Sequence, residues 1–137
     1  MVLPRVGVVL LLLFVVAVPA ARAQDGPSPL KERIGTGILR GLYFATPITH
    51  GVDMISTWQV IDLGGRELNP LVATHVSNRA AFAATRAGIT VGEIYVTHLL
   101  GKRHKWGAIA ALGGLNIAYA MFAAHNLRVA DSLRGRQ

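Results

Sequence analysis

The sequence predicts an all-α protein, an integral membrane helical bundle with three transmembrane helices after an N-terminal signal peptide. Three observations predict it. Hydrophobic residues make up 52% of the chain and charged residues only 15%, against about 25% charged in an ordinary soluble domain. Apolar stretches of roughly membrane-spanning length recur after residue 36, divided by short polar turns. Within each stretch the few polar residues recur three or four apart, which places them on one helix face.

Residues 1–23 read as a signal peptide. Arg5 supplies a positive start, and Val6 to Val18 is an apolar run too short for the roughly 20 residues of a span. Pro19 breaks the run, and Ala21-Arg22-Ala23 is a small-x-small cleavage site. Cleavage before Gln24 is expected, with an uncleaved anchor helix as the alternative. Residues 24–36 read as a periplasmic linker, opening with the Pro-, Gly- and Ser-rich Gln24 to Pro29. Lys31 to Ala45 mixes charged and apolar residues and fits an interfacial helix leading into the first span.

The transmembrane domain is expected over residues 37–129, with spans at about 37–63, 80–100 and 106–126 and a polar tail at 130–137. Thr46-Pro47 resembles a helix start, yet Pro47 to Leu63 alone is marginally long, so one continuous, kinked helix from near Gly37 is preferred. Gly64-Gly65 can supply a left-handed helix terminus. Asn69 and Pro70 cap a short helix through Val76, and Ser77-Asn78 recaps the second span. Gly101 to Lys105 forms a basic turn, with Trp106 at an interfacial position.

Charge limits the partners. The net charge is +7, and removing Arg5 and Arg22 leaves twelve basic against seven acidic residues. The excess lies at Lys102, Arg103, Lys105 and in the tail, as at the flanks of membrane helices, so the lipid bilayer is the expected partner. No basic stripe is interleaved with aromatics, so nucleic acid is not expected. The chain has no cysteine, which excludes disulfides and thiolate metal sites. Basic residues divide six against five between the two sides, so charge leaves the orientation open.

Three polar stripes carry the candidate chemistry. The first span bears Thr46, His50, Asp53 and Thr57, the second Arg86, Thr90, Glu93 and Thr97, and the third Asn116 and Tyr119. Polar groups facing lipid are costly, so the stripes should face one another as a seam. Asp53 is expected to pair with Arg86, leaving Glu93 without an obvious partner. Two carboxylates against one fixed cation leave one positive charge wanting: a protonated His50, a protonated carboxyl or a bound cation. His50, Asp53 and Glu93 could alternatively ligate a metal, although no H-E-x-x-H or G-x-S-x-G motif accompanies them. Gly88 and Gly92 form a G-x-x-x-G, a face for a possible homo-oligomer.

Asp53-x-x-x-Thr57, then Gly64-Gly65, then Glu67-x-Asn69-Pro70 resembles the signature of a family of small bacterial membrane proteins, a domain of unknown function with D-x3-T followed by G-x-E-x-N-P. The resemblance implies a bacterial inner-membrane, multi-pass protein, with Gly65, Glu67, Asn69 and Pro70 as its loop motif. It also implies a basic residue on the second span, where Arg86 stands in place of the usual lysine. Tyr119 to Asn126 is similar to the aromatic-rich run that closes the family's last span. His50 and Glu93 are not part of that pattern, and the resemblance implies no activity.

The functional expectation is a non-enzymatic membrane module, without cofactor, binding a partner, lipid or ion through the polar seam. The alternatives are a small intramembrane metal-dependent hydrolase or a proton- or cation-conducting protein using Asp53, Glu93 and His50.

Overall fold

A computed structural model describes residues 28–66 and 76–136. They form three α-helices and no strand: α1, Pro29–Asp62; α2, Arg79–Arg103; and α3, Lys105–Arg134. The signal peptide, Glu67, Asn69, Pro70, the short helix from Pro70 and His75 lie outside the described residues.

Each helix end has a local cause. At the start of α1, Ser28 Oγ accepts from the Lys31 amide at 3.4 Å, Pro29 stands where a free N–H is not needed, and Glu32 lies in the first turn. The first helix therefore begins well before Gly37, and the second half of the expected linker is helical. It continues through Pro47 to Asp62, with Thr46 inside it rather than at a cap; the Thr46 hydroxyl donates to the Leu42 carbonyl at 2.8 Å. The helix stops at a Schellman motif. Gly64 adopts φ +81° and donates to Ile61 O, while the Gly65 amide donates to Val60 O at 2.8 Å.

Asn78 Oδ1 caps α2 by accepting from the Ala81 amide at 3.1 Å, and Lys102 and Arg103 complement its C-terminal dipole. His104 alone separates α2 from α3, so the basic turn is shorter than expected. The third helix runs to Arg134 rather than ending near Asn126. Apolar positions continue past Asn126, with Ala130 fully buried, and Arg134 pairs with Asp131 one turn back.

The helices run up, down and up. Their pairings give the register: Glu32 and Thr36 of α1 meet Lys105, Thr46 and Thr49 meet Asn116, and Thr57 meets Asn126. Thus α1 and α3 are parallel, and they make the most extensive contact. Antiparallel α2 brings Arg86 to Asp53 and Arg79 to Asp62. An apolar cluster of Leu39, Ala108 and Leu112, flanked by Leu42, Tyr43, Leu100 and Ile109, closes the end holding the α2–α3 turn. Trp58 against Phe82, ring centroids 5.9 Å apart, closes the other.

By length and composition, α3 is long and apolar enough to cross a membrane, and among the described residues it alone is. The other two have the length, 34 and 25 residues, against roughly 20 needed. Their polar stripes and charged ends dilute the apolar content, which narrows the expectation of three spans.

The glycines yield a paired test. An added Cβ at Gly37 meets nothing within 4 Å, whereas Gly64 has positive φ. Gly64→Ala should lower stability by about 1 kcal/mol, and Gly37→Ala should raise it by a comparable amount. Thermal unfolding of the two purified variants checks this; a Gly64→Ala protein as stable as wild type contradicts the terminus described here.

Candidate functional site

The spacing of each stripe, three or four residues, turns its members to one side of its helix, and the three sides converge. Thr46, His50, Asp53, Ser56, Thr57, Thr90, Thr97 and Asn116 are all buried. The resulting ladder runs from Lys105 to Asn126 along α3, roughly 30 Å at about 1.5 Å per residue.

At the first rung Lys105 Nζ pairs with Glu32 and donates to Thr36 Oγ1 at 2.8 Å. At the second, Asn116 Nδ2 donates to Thr46 Oγ1 at 3.0 Å and to the Leu112 carbonyl at 2.8 Å, while Thr49 Oγ1 donates to Asn116 Oδ1 at 2.9 Å. A carboxamide suits this position because it donates and accepts at once.

His50 occupies the third rung. Its Nδ1 lies 2.8 Å from Thr90 Oγ1, and its Nε2 lies 3.0 Å from Glu93 Oε2. Tyr119 covers the imidazole, ring centroids 3.7 Å apart, and donates its hydroxyl to Glu93 Oε1 at 3.3 Å. Glu93 therefore has two partners, contrary to the sequence expectation. The depth at which an antiparallel α2 presents Glu93 to His50 depends on register, which spacing within one helix does not contain.

The fourth rung holds the fixed charges. Arg86 Nη2 lies 2.6 Å from Asp53 Oδ2, with the two side chains 11% and 2% exposed. The guanidinium also lies over Phe82 and Tyr119, 5.3 and 5.6 Å from their centroids, which suits a delocalised cation. Asn126 Nδ2 reaches Thr57 Oγ1 at 3.0 Å, Ser56 Oγ at 3.3 Å and Asp53 Oδ1 at 3.5 Å. Asn126 and Ser56 were missed as seam residues. The spacing carries the signal: Asn116, Tyr119, Ala123 and Asn126 recur at three, four and three, which extends the third stripe to the expected end of its span.

The structure thus joins His50, Asp53, Thr57, Arg86 and Glu93 in one network, while Asn116 forms a separate cluster with Thr46 and Thr49. Gly65 takes a separate, structural part: a Cβ there would lie 2.7 Å from the Val60 carbonyl oxygen. Gly88 and Gly92 are open, with nothing within 4 Å of an added Cβ, so they make no close helix contact within the chain. The close approaches fall instead at Gly35, beside Lys105, and at Gly101, beside Leu39 and Ala108. His98 lies near Tyr43, a turn or more from His50. Among the described residues no three His, Asp or Glu side chains converge as a metal-binding group.

No known protein family matches the chain, and no curated protein or solved structure matches it.

Removing one member of a buried ion pair strands the other and costs roughly 3–5 kcal/mol. Asp53→Asn should therefore melt early or fail to accumulate. The double variant Asp53→Asn/Arg86→Gln should be more stable than the sum of its single changes implies. A double-mutant cycle on melting temperature in detergent measures the coupling, and additive losses would contradict a direct pair.

Proposed function

We propose that the chain is a small, non-enzymatic, multi-pass protein of the bacterial inner membrane, crossing three times after a cleaved signal peptide, whose polar seam binds an ion. The observation that carries this reading is an inverted distribution of polarity. Charged and hydroxyl groups fill the interior, while Phe44, Ile48, Val52, Val91, Tyr95, Ile117 and Met121 are each more than 45% exposed. In water that arrangement exposes large apolar side chains and buries charges; in a bilayer both faces are favourable. Once their stripes are turned inward, α1 and α2 present apolar surfaces to their surroundings, as α3 does. The seam's length of roughly 30 Å also fits the hydrocarbon thickness.

An ion suits the seam better than a partner protein or lipid. Asp53, His50, Arg86 and Glu93 are 2, 3, 11 and 18% exposed, so a macromolecule has little access to them. A hydrolase lacks support in the geometry, since Asp53 is engaged by Arg86 and no metal-binding group of three converges among the described residues. The resemblance to the small membrane family fits the same reading, with the Asp53–Arg86 pair as a physical reason for an acid on one helix and a base on the next. The open Gly88/Gly92 face remains the proposed surface for a second copy.

The absence of cysteine makes single-cysteine accessibility a clean test. Cysteines placed at Val52, Val91 and Ile117 should resist a water-soluble maleimide in intact membranes and react after the protein is unfolded in detergent. The chain should also stay in the pellet after alkaline carbonate washing. Labelling of Val52→Cys and Val91→Cys in intact membranes would remove α1 and α2 as spans.

A further inference from the structure

We propose that the His50–Glu93 pair is a proton-binding site, holding one proton between His50 Nε2 and Glu93 Oε2. This rests on the ion-binding reading above and names its ion. The argument is an account of hydrogens. A threonine hydroxyl has one hydrogen to donate. We assign that hydrogen to the Arg86 carbonyl oxygen, a pure acceptor 2.8 Å from Thr90 Oγ1. On that assignment Thr90 Oγ1 meets His50 Nδ1, also at 2.8 Å, as an acceptor, and Nδ1 carries the hydrogen.

That assignment leaves Nε2 as the second ring nitrogen, 3.0 Å from Glu93 Oε2. Both atoms are buried, and neither completes an aligned hydrogen bond with any described group, the other included. A bare nitrogen facing a bare carboxylate oxygen would set two lone pairs against each other. One proton removes the repulsion, as imidazolium with carboxylate or as imidazole with carboxylic acid. Tyr119 limits escape by lying tilted against the imidazole and donating to Oε1 of the same carboxylate.

The surrounding charges point the same way. The groups facing the pair are Asp53 from α1, Arg86 from α2 and Tyr119 from α3. Asp53 and Arg86 neutralise each other, so without the extra proton the seam would carry one uncompensated carboxylate in an apolar surrounding. With it the seam is neutral.

The test is nitrogen and carboxyl NMR on the full chain in phosphatidylcholine vesicles at pH 7. His75, His98, His104 and His125 are replaced by Gln so that His50 is the sole imidazole. Nδ1 should be protonated, accompanied by either a protonated Nε2 or a protonated Glu93 carboxyl. In Glu93→Gln, Nδ1 should keep its hydrogen and Nε2 should become a bare acceptor from the amide. A bare Nδ1 in the otherwise wild-type chain overturns the proposal, as does an ionised Glu93 beside a neutral His50. Sodium or potassium chloride at 100 mM separates the two readings. If the proposal fails but the His50 resonances move with one salt and not the other, the seam binds that metal cation and the ion-binding reading stands. If neither salt moves them, both readings fall. The chain with native His50 and Glu93 supplies the decisive spectrum, so misfolding of Glu93→Gln cannot rescue the proposal.

Discussion

The seam depends on the need to compensate buried charge. Asp53 is 2% exposed, and a carboxylate so buried needs the compensating charge that Arg86 supplies at 2.6 Å. That requirement fixes the depth at which α2 lies against α1. Asn126 then brings α3 to the same level through Asp53, Ser56 and Thr57. A rotation or slip of any helix by one residue would break this set of contacts. Buried polar pairs of this kind are known to specify register, and here the arrangement extends from the Lys105–Glu32 pair at one end to the Arg79–Asp62 pair at the other.

What the bundle lacks explains why polar contacts matter so much. Its apolar core is a small cluster of Leu39, Ala108 and Leu112 at one end. Two of the fully buried apolar residues are alanines, Ala108 and Ala130, each contributing little area. In water such a core would be a weak driving force, because hydrophobic stabilisation scales with apolar area removed from solvent. In an apolar solvent, close packing and interhelical hydrogen bonds hold helices together instead. Gly35 and Gly101 allow the close packing, and the threonines and asparagines supply the hydrogen bonds.

Much of this was legible in the sequence, for a definite reason. The three stripes follow from i, i+3 and i+4 spacing within single helices, and one polar face on an otherwise apolar helix has few places to go. The Asp53–Arg86 partnership followed from charge alone. The partner of Glu93 did not, because it depends on how far antiparallel α2 is displaced along α1. The helix ends were also misjudged. Ser28-Pro29 reads as linker in the sequence although it carries both a cap and a first-turn proline, and neighbouring charges hide the helical continuation from Leu127 to Leu133. The same stripes that reveal the seam lower the apolar content of α1 and α2, leaving α3 alone among the described residues apolar enough to span by composition.

The two charged rungs are best understood as one unit. Thr90 joins them, its hydroxyl bonded to the Arg86 carbonyl and its oxygen to His50. Tyr119 joins them again, with its ring against His50, its hydroxyl on Glu93 and the Arg86 guanidinium over its face. Hydrogen bonds in a shared network polarise one another, more so where the dielectric is low. A change of proton or charge at His50 and Glu93 must therefore alter the field at Asp53 and Arg86, the pair that sets helix register. Architecture and the proposed ion binding are then not competing explanations of the seam: the groups that hold the helices in place are coupled to the groups that would hold the ion.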